Sequence, residues 1–180
     1  MQQGPQAFDK TLTRSPSMST MTAMAKNQGK NLSVLNEWMA LCSLIKDGVR
    51  TVVREEDWPV FERQQNGPPL LGFTMKNIDG PHSKTDKDAF SQELALYYNG
   101  QKPEQAAQCK ADIEALAAYL SEHSIGDFQV MLELATGKLY VLDPTFVKDE
   151  PGDLSQINRW NKILTGEIKN LPKGKVTKYD

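Results

Sequence analysis

The chain has 180 residues, 39% hydrophobic and 24% charged, which suits one compact domain with a real core and leaves little room for a second. A net charge of -2 and a pI near 5.8, with basic residues interleaved among acids, give no bulk electrostatic pull toward nucleic acid. No window approaches the roughly 20 apolar residues of a membrane-spanning helix, the N-terminus lacks the apolar core of a secretory signal, and the two histidines, His82 and His123, leave little for a zinc site or a Ser-His-Asp triad.

Residues 1–30 are rich in Gln, Ser, Thr, Met and Lys, with a weak alternation over Ser19–Lys26 that suits a short strand. From Asn31 to Lys46, Val34, Trp38, Leu41, Cys42 and Ile45 recur at helical spacing, and Asp47-Gly48 stops the helix. Three apolar runs follow, Val49–Arg54, Trp58–Glu62 and Leu70–Met75, broken by turn residues and read as antiparallel strands. A helix is expected around Asp88–Tyr98, closed by Asn99-Gly100, and a longer one from Pro103 to about His123 with an apolar face built on Ala106, Ile113, Leu116 and Leu120. Val130–Leu134 and Lys138–Leu142 read as a hairpin, and Asp153–Gly166 as a last helix. Cys42 and Cys109 fall in helix interiors without metal-ligand spacing and are expected to be reduced core residues. The order of elements predicts a single α+β domain.

The hairpin carries the chemistry. A three-residue loop at 135–137 pairs Leu134 with Lys138 and, by the same register, sets Gln129 opposite Asp143. Directly opposed side chains have Cβ atoms about 4.5–5.5 Å apart, so both can reach one cation. Leu139, Val141 and Asp143 share one face while Tyr140 and Leu142 line the other, so an apolar strand ends in a carboxylate. Pro144 holds Asp143 extended and stops the ladder; the plain alternative is that Asp-Pro merely begins a turn. Asp127 lies just before the hairpin as a third oxygen donor. One carboxylate, one amide oxygen and nucleotide phosphates suffice for Mg²⁺.

On these residues the chain resembles the protein kinase superfamily. The helix ending in Tyr119-Leu120-Ser121-Glu122-His123-Ser124-Ile125-Gly126-Asp127 is similar to the one that leads into the kinase catalytic loop. Gln129-Val130-Met131-Leu132 is similar to the metal-binding Asn and its strand, and Gly137–Thr145 to the strand that delivers the magnesium Asp. Gly72-Phe73-Thr74-Met75-Lys76-Asn77-Ile78-Asp79-Gly80 resembles the fifth strand and hinge. Gly4-Pro5-Gln6-Ala7-Phe8-Asp9-Lys10-Thr11 resembles a degraded Gly-rich loop, or else belongs to a disordered leader.

The resemblance implies a minimal bilobal kinase-like fold over 1–180, with an N-lobe and hinge at about 1–79, a reduced C-lobe at about 80–171 and a tail at 172–180. It implies an ATP- and Mg²⁺-dependent protein kinase of Ser/Thr type. Lys26, with Lys30 as rival, would bind phosphate and pair with Glu37; Gly4 would cover the nucleotide. Met75, Lys76, Asn77 and Ile78 would meet adenine, Gln129 and Asp143 would hold the metal, and Asp127 would serve as base. The sequence departs from the family in a catalytic loop with only Phe128 between Asp127 and Gln129, in Asp143-Pro144-Thr145 where DFG is usual, and in lacking an APE motif. In that truncation it is similar to minimal kinases that bacteria deliver by type III secretion into the host cytoplasm, within them to the family that phosphorylates the ninety-kilodalton heat-shock chaperone. A monomer acting on a host protein is expected. The alternatives are a non-catalytic pseudokinase-like binding module and a kinase-fold transferase with other chemistry, such as AMP transfer.

Overall fold

The computed structural model describes residues 7–9, 29–53, 60–62, 70–72, 74–146 and 152–168, and these form a mixed α+β fold. The described helices are α1 (Gly29–Lys46), α2 (Lys87–Tyr98), α3 (Pro103–Glu122) and α4 (Ser155–Leu164). The strands are β1 (Ala7–Asp9), β2 (Val60–Glu62), β3 (Leu70–Gly72), β4 (Thr74–Lys76), β5 (Ile125–Gly126), β6 (Gln129–Leu132), β7 (Leu139–Leu142) and β8 (Thr145–Phe146). They pair as antiparallel ladders β1–β4, β2–β3, β5–β8 and β6–β7. The expected strand at Ser19–Lys26 lies outside the described residues.

Glycine ends the helices where turn chemistry predicts. Gly48 (φ 80°) follows α1, and the Val49 N–H donates to the Leu44 carbonyl at 2.9 Å; Gly100 (φ 74°) follows α2, and the Gln101 N–H donates to Leu96 at 3.3 Å. Both are left-handed caps in which a residue without Cβ turns the chain back over the last turn.

The β6–β7 hairpin is the centre of the molecule, and both of its outer edges are covered. Along β6, the Ser83 N–H donates to Val130 O (2.9 Å) and the Leu132 N–H to Pro81 O (3.0 Å). Along β7, the Val141 N–H donates to Arg50 O and the Val52 N–H to Val141 O, each at 3.0 Å, a parallel bridge at Thr51. The expected strand at Val49–Arg54 is therefore an isolated bridge rather than a ladder, because Thr51 is the one position that meets β7. The Val52 carbonyl in turn accepts from the Lys76 N–H at 2.6 Å, tying β4 to the hairpin. An edge strand left open exposes a row of unpaired amides, and here short segments close it.

The hairpin separates two apolar clusters. On one face, Val130, Leu132, Leu139 and Val141 pack with Phe90, Leu94, Ile113, Leu116, Leu120 and Trp160 of α2, α3 and α4. On the other, Tyr140 packs with Trp38, Leu41, Val52, Val53 and Ile78. Helix α1 reaches both, through Ala40 and Leu44 to the first and Trp38 and Leu41 to the second. A strand that is apolar on both faces needs cover on both, and β7 has it. Cys109 is fully buried and Cys42 half-buried, both free thiols, as expected. No described helix is long and apolar enough to cross a membrane.

Candidate functional site

The hairpin register corrects the expected pairing. Gln129 stands across from Leu142, Val130 from Val141, Met131 from Tyr140 and Leu132 from Leu139. Gln129 is therefore not opposite Asp143. The loop holds four residues, Leu134 to Gly137, because Glu133 and Lys138 still pair, the Glu133 N–H donating to Lys138 O at 2.9 Å. Gly137 (φ 76°) takes the left-handed position, its N–H returning to Glu133 O at 2.8 Å, and Thr136 Oγ1 accepts from the Lys138 N–H at 3.2 Å. The side chain of Thr136 and the permissive glycine favour the longer loop, and one extra loop residue moves the register by one.

Beyond the hairpin the ladder resumes in the same register. Ile125 faces Phe146 and Gly126 faces Thr145. The offset is identical on the two sides, so the gap inserts no residue in either strand, and Asp143 stands level with Phe128, flanked by Asp127 and Gln129. The break has a backbone cause. Asp127 and Asp143 both have φ of 49°, and among the described non-glycine residues they alone have positive φ. Aspartate tolerates this region better than most side chains, at a cost of order 1 kcal/mol. Both carboxylates are exposed, while Gln129 is half-buried.

Asp127 and Gln129 open onto a cleft of about 510 Å³ between the first turns of α2 and α4. Its floor is aromatic, with Phe90, Phe128 and Trp160; the rings of Phe90 and Trp160 lie 5.2 Å apart at 44°. Its rim is basic, with Lys84 and Lys87 from one side and Arg159 from the other, and Asp127 is its single acid. Ser83 lies at its inner edge, buried, its hydroxyl accepting from the Val130 N–H at 3.0 Å. Asp143 does not line this cleft. Sequence reading missed the three cations, since Lys84 and Lys87 sit beside Asp86 and Asp88 and Arg159 is far away in the chain; only the fold brings them together.

The remaining expected site residues divide. Gly4 and Lys26 lie outside the described residues, as does the side chain of Lys30. Glu37 is half-buried on α1 and engaged by a partner. Met75 is half-buried against the second cluster, which Ile78 helps to form. Lys76 is committed to the hairpin: its Nζ donates to Tyr140 Oη at 2.9 Å, lies 4.8 Å from that ring's centroid and 3.7 Å from Glu133 Oε2. Its N–H serves Val52, so the expected adenine contact through the Lys76 amide does not hold.

Asp143, Gln129 and Asp127 are hard oxygen donors of the kind Mg²⁺ takes. Among the described residues no group of three or more His, Cys, Asp or Glu gathers to hold a metal by itself. No family model, curated protein or solved structure matches the chain.

Proposed function

We propose that the chain is a minimal kinase-like phosphotransferase that moves the γ-phosphoryl group of ATP to a hydroxyl of a protein substrate. The observation that supports this is the paired break in the hairpin. Two exposed aspartates held in the same left-handed conformation, one position out of step on adjoining segments, would supply a base and a metal ligand. Backbone outliers retained at a cost are concentrated at working sites. In this reading a small lobe through Asp79 precedes a reduced second lobe from Gly80. Asp127 orients the attacking hydroxyl and accepts its proton, with the cleft beside it as the place for the acceptor. Asp143 and Gln129 would hold Mg²⁺, which supplies charge neutralisation on the phosphates when bound. Lys26 would bind phosphate and Glu37 would orient it. Asn77 and Ile78 would offer the backbone groups that meet adenine, beside Met75, since the Lys76 amide is spent on Val52.

The same proposal extends to a bacterial effector acting as a monomer in the host cytoplasm, with the ninety-kilodalton heat-shock chaperone as the first substrate to try. The test is transfer of label from γ-labelled ATP to that chaperone and to a host lysate, with mass spectrometry to separate phosphoryl from adenylyl addition. The expected result is Mg²⁺-dependent phosphorylation that Asp143→Ala abolishes. Transfer by Asp143→Ala at the wild-type rate sinks the assignment.

A further inference from the structure

The cleft beside Asp127 has a composition that the phosphotransfer reading does not itself require. Three cations border it, Lys84 and Lys87 around the start of α2 and Arg159 in the second turn of α4, against one acid, Asp127. Within the described residues none of the three makes an ion pair, and Lys84 and Lys87 are exposed.

The neighbouring acids form no ion pair with these three cations. Asp86 Oδ2 accepts from the His82 N–H at 3.0 Å and from the Thr85 hydroxyl at 3.4 Å. Asp153 accepts from the Ser155 N–H at 2.8 Å, which holds its carboxyl below the ordinary value. Neither lines the cleft, and nor does Asp88. Clustered like charges around a concave wall raise the local concentration of a counter-charged ligand.

We propose that this cleft is the docking groove for an acidic segment of the protein substrate, so that hydroxyls flanked by Asp, Glu or phosphorylated residues are preferred. This rests on the phosphotransferase reading. The nucleotide is not the occupant the cleft suits. Met75, Lys76, Asn77 and Ile78, the segment assigned to adenine, do not line it, and neither does Asp143. Asp127 does, so a chain lying across the cations passes the base. Phe128 and Trp160 give the groove an apolar floor for the side chains between the acids. Arg is suited to paired contacts with carboxylate or phosphate, and the two lysines act as point charges.

The experiment uses the full chain and two fluorescein-labelled peptides with one central serine, one flanked by Asp and Glu and the other by Gln and Asn. Binding is followed by anisotropy at low and high salt, and phosphorylation of the same peptides is measured in parallel. The acidic peptide is expected to bind about tenfold tighter than the neutral one, with the difference shrinking as salt rises. The double variant Lys84→Glu/Lys87→Glu and, separately, Arg159→Gln are expected to erase most of that difference with unchanged thermal unfolding. Equal binding of the two peptides, or unchanged binding to both variants, overturns the proposal. Displacement of the acidic peptide by saturating Mg–ATP overturns it too, since the cations would then serve the nucleotide. The two readings fail separately: transfer without acidic preference removes the groove alone, and acidic preference without transfer on any peptide removes the phosphotransferase alone.

Discussion

Asp127 and Asp143 share one backbone conformation, φ 49° at each, one position out of step on two adjoining segments whose register is unchanged on either side of them. Neither strand gains a residue at the break, so the two left-handed turns compensate each other and the ladder resumes. The break frees the two carboxylates from regular alternation and leaves both exposed.

This geometry predicts how position 127 tolerates substitution. Glycine enters the left-handed region freely, whereas a β-branched residue there costs about 1–2 kcal/mol. Asp127→Gly is expected to stay within about 0.5 kcal/mol of wild type, and Asp127→Val to be less stable than Asp127→Gly by about 1–2 kcal/mol, read from urea midpoints at constant slope. Both are expected to lose transfer by about 100-fold or more, the scale of a lost general base. Equal stability of the two variants would contradict the backbone assignment.

Gly80 lies where the 79–83 segment meets β6, and a Cβ built on it falls 1.7 Å from the Leu132 carbonyl oxygen. Backbone cannot yield as a side-chain tip can. Gly80→Ala is expected to cost about 3 kcal/mol, the upper range for overpacking, with faster hydrogen exchange at the Ser83 and Leu132 amides. Unchanged exchange at those two amides would show that the segment does not seal the β6 edge.

Asp112 of α3 anchors the start of β7. Its carboxylate accepts from the Leu139 N–H at 2.8 Å, from Gln108 Nε2 at 3.0 Å and from Arg50 Nε at 3.3 Å. Asp112→Ala leaves the Leu139 amide without that acceptor and is expected to cost about 2 kcal/mol. Arg50→Ala should cost less, because its guanidinium is partly exposed and the ion pair is screened by solvent. An Arg50 variant costing more than the Asp112 variant would reverse this ranking.

Alkaline pH should weaken the fold from about pH 9 upward. Burial pushes the Cys109 thiol from an ordinary 9.0 to about 12, with the Asp112 and Glu93 charges adding to the effect. Burial first, then the Glu93 charge, raises Tyr97 well above its ordinary 10.0, and burial also raises Tyr119. In each case the folded chain keeps its proton while the unfolded chain ionises, so stability present below the unfolded value is lost as pH rises. Cys109 alone contributes a slope of up to about 1.4 kcal/mol per pH unit above 9. The loss between pH 9 and 10 should diminish in Cys109→Ala, measured relative to its own stability at pH 7; a profile identical to wild type would remove Cys109 as its source.

The Glu93 carboxylate at the α2–α3 junction receives Lys102 Nζ at 2.7 Å and is almost fully buried. Lys102→Met leaves that charge without its partner and is expected to cost about 2 kcal/mol at neutral pH, less than for a fully buried pair because Lys102 is partly exposed. The loss is read from the urea midpoint at constant slope, and a midpoint equal to wild type would show that the pair adds no stability.

What the sequence determined by itself was local. Apolar residues at three and four predicted α1 and α3 to within a few residues, Gly48 and Gly100 marked the ends of α1 and α2, and the run from Leu139 to Leu142 read correctly as apolar on both faces. These depend on contacts between near neighbours along the chain. Tertiary structure decided the rest. The loop from Leu134 to Gly137 closes with four residues rather than three, because Thr136 and Gly137 complete a turn on Glu133, and that single residue moves Gln129 from Asp143 to Leu142. The pairing of Pro81–Ser83 and Arg50–Val52 along the hairpin edges, and the meeting of Lys84, Lys87 and Arg159 around Asp127, join segments far apart in sequence. No periodicity records such contacts, since they follow from how the helices and the hairpin bury their shared apolar faces.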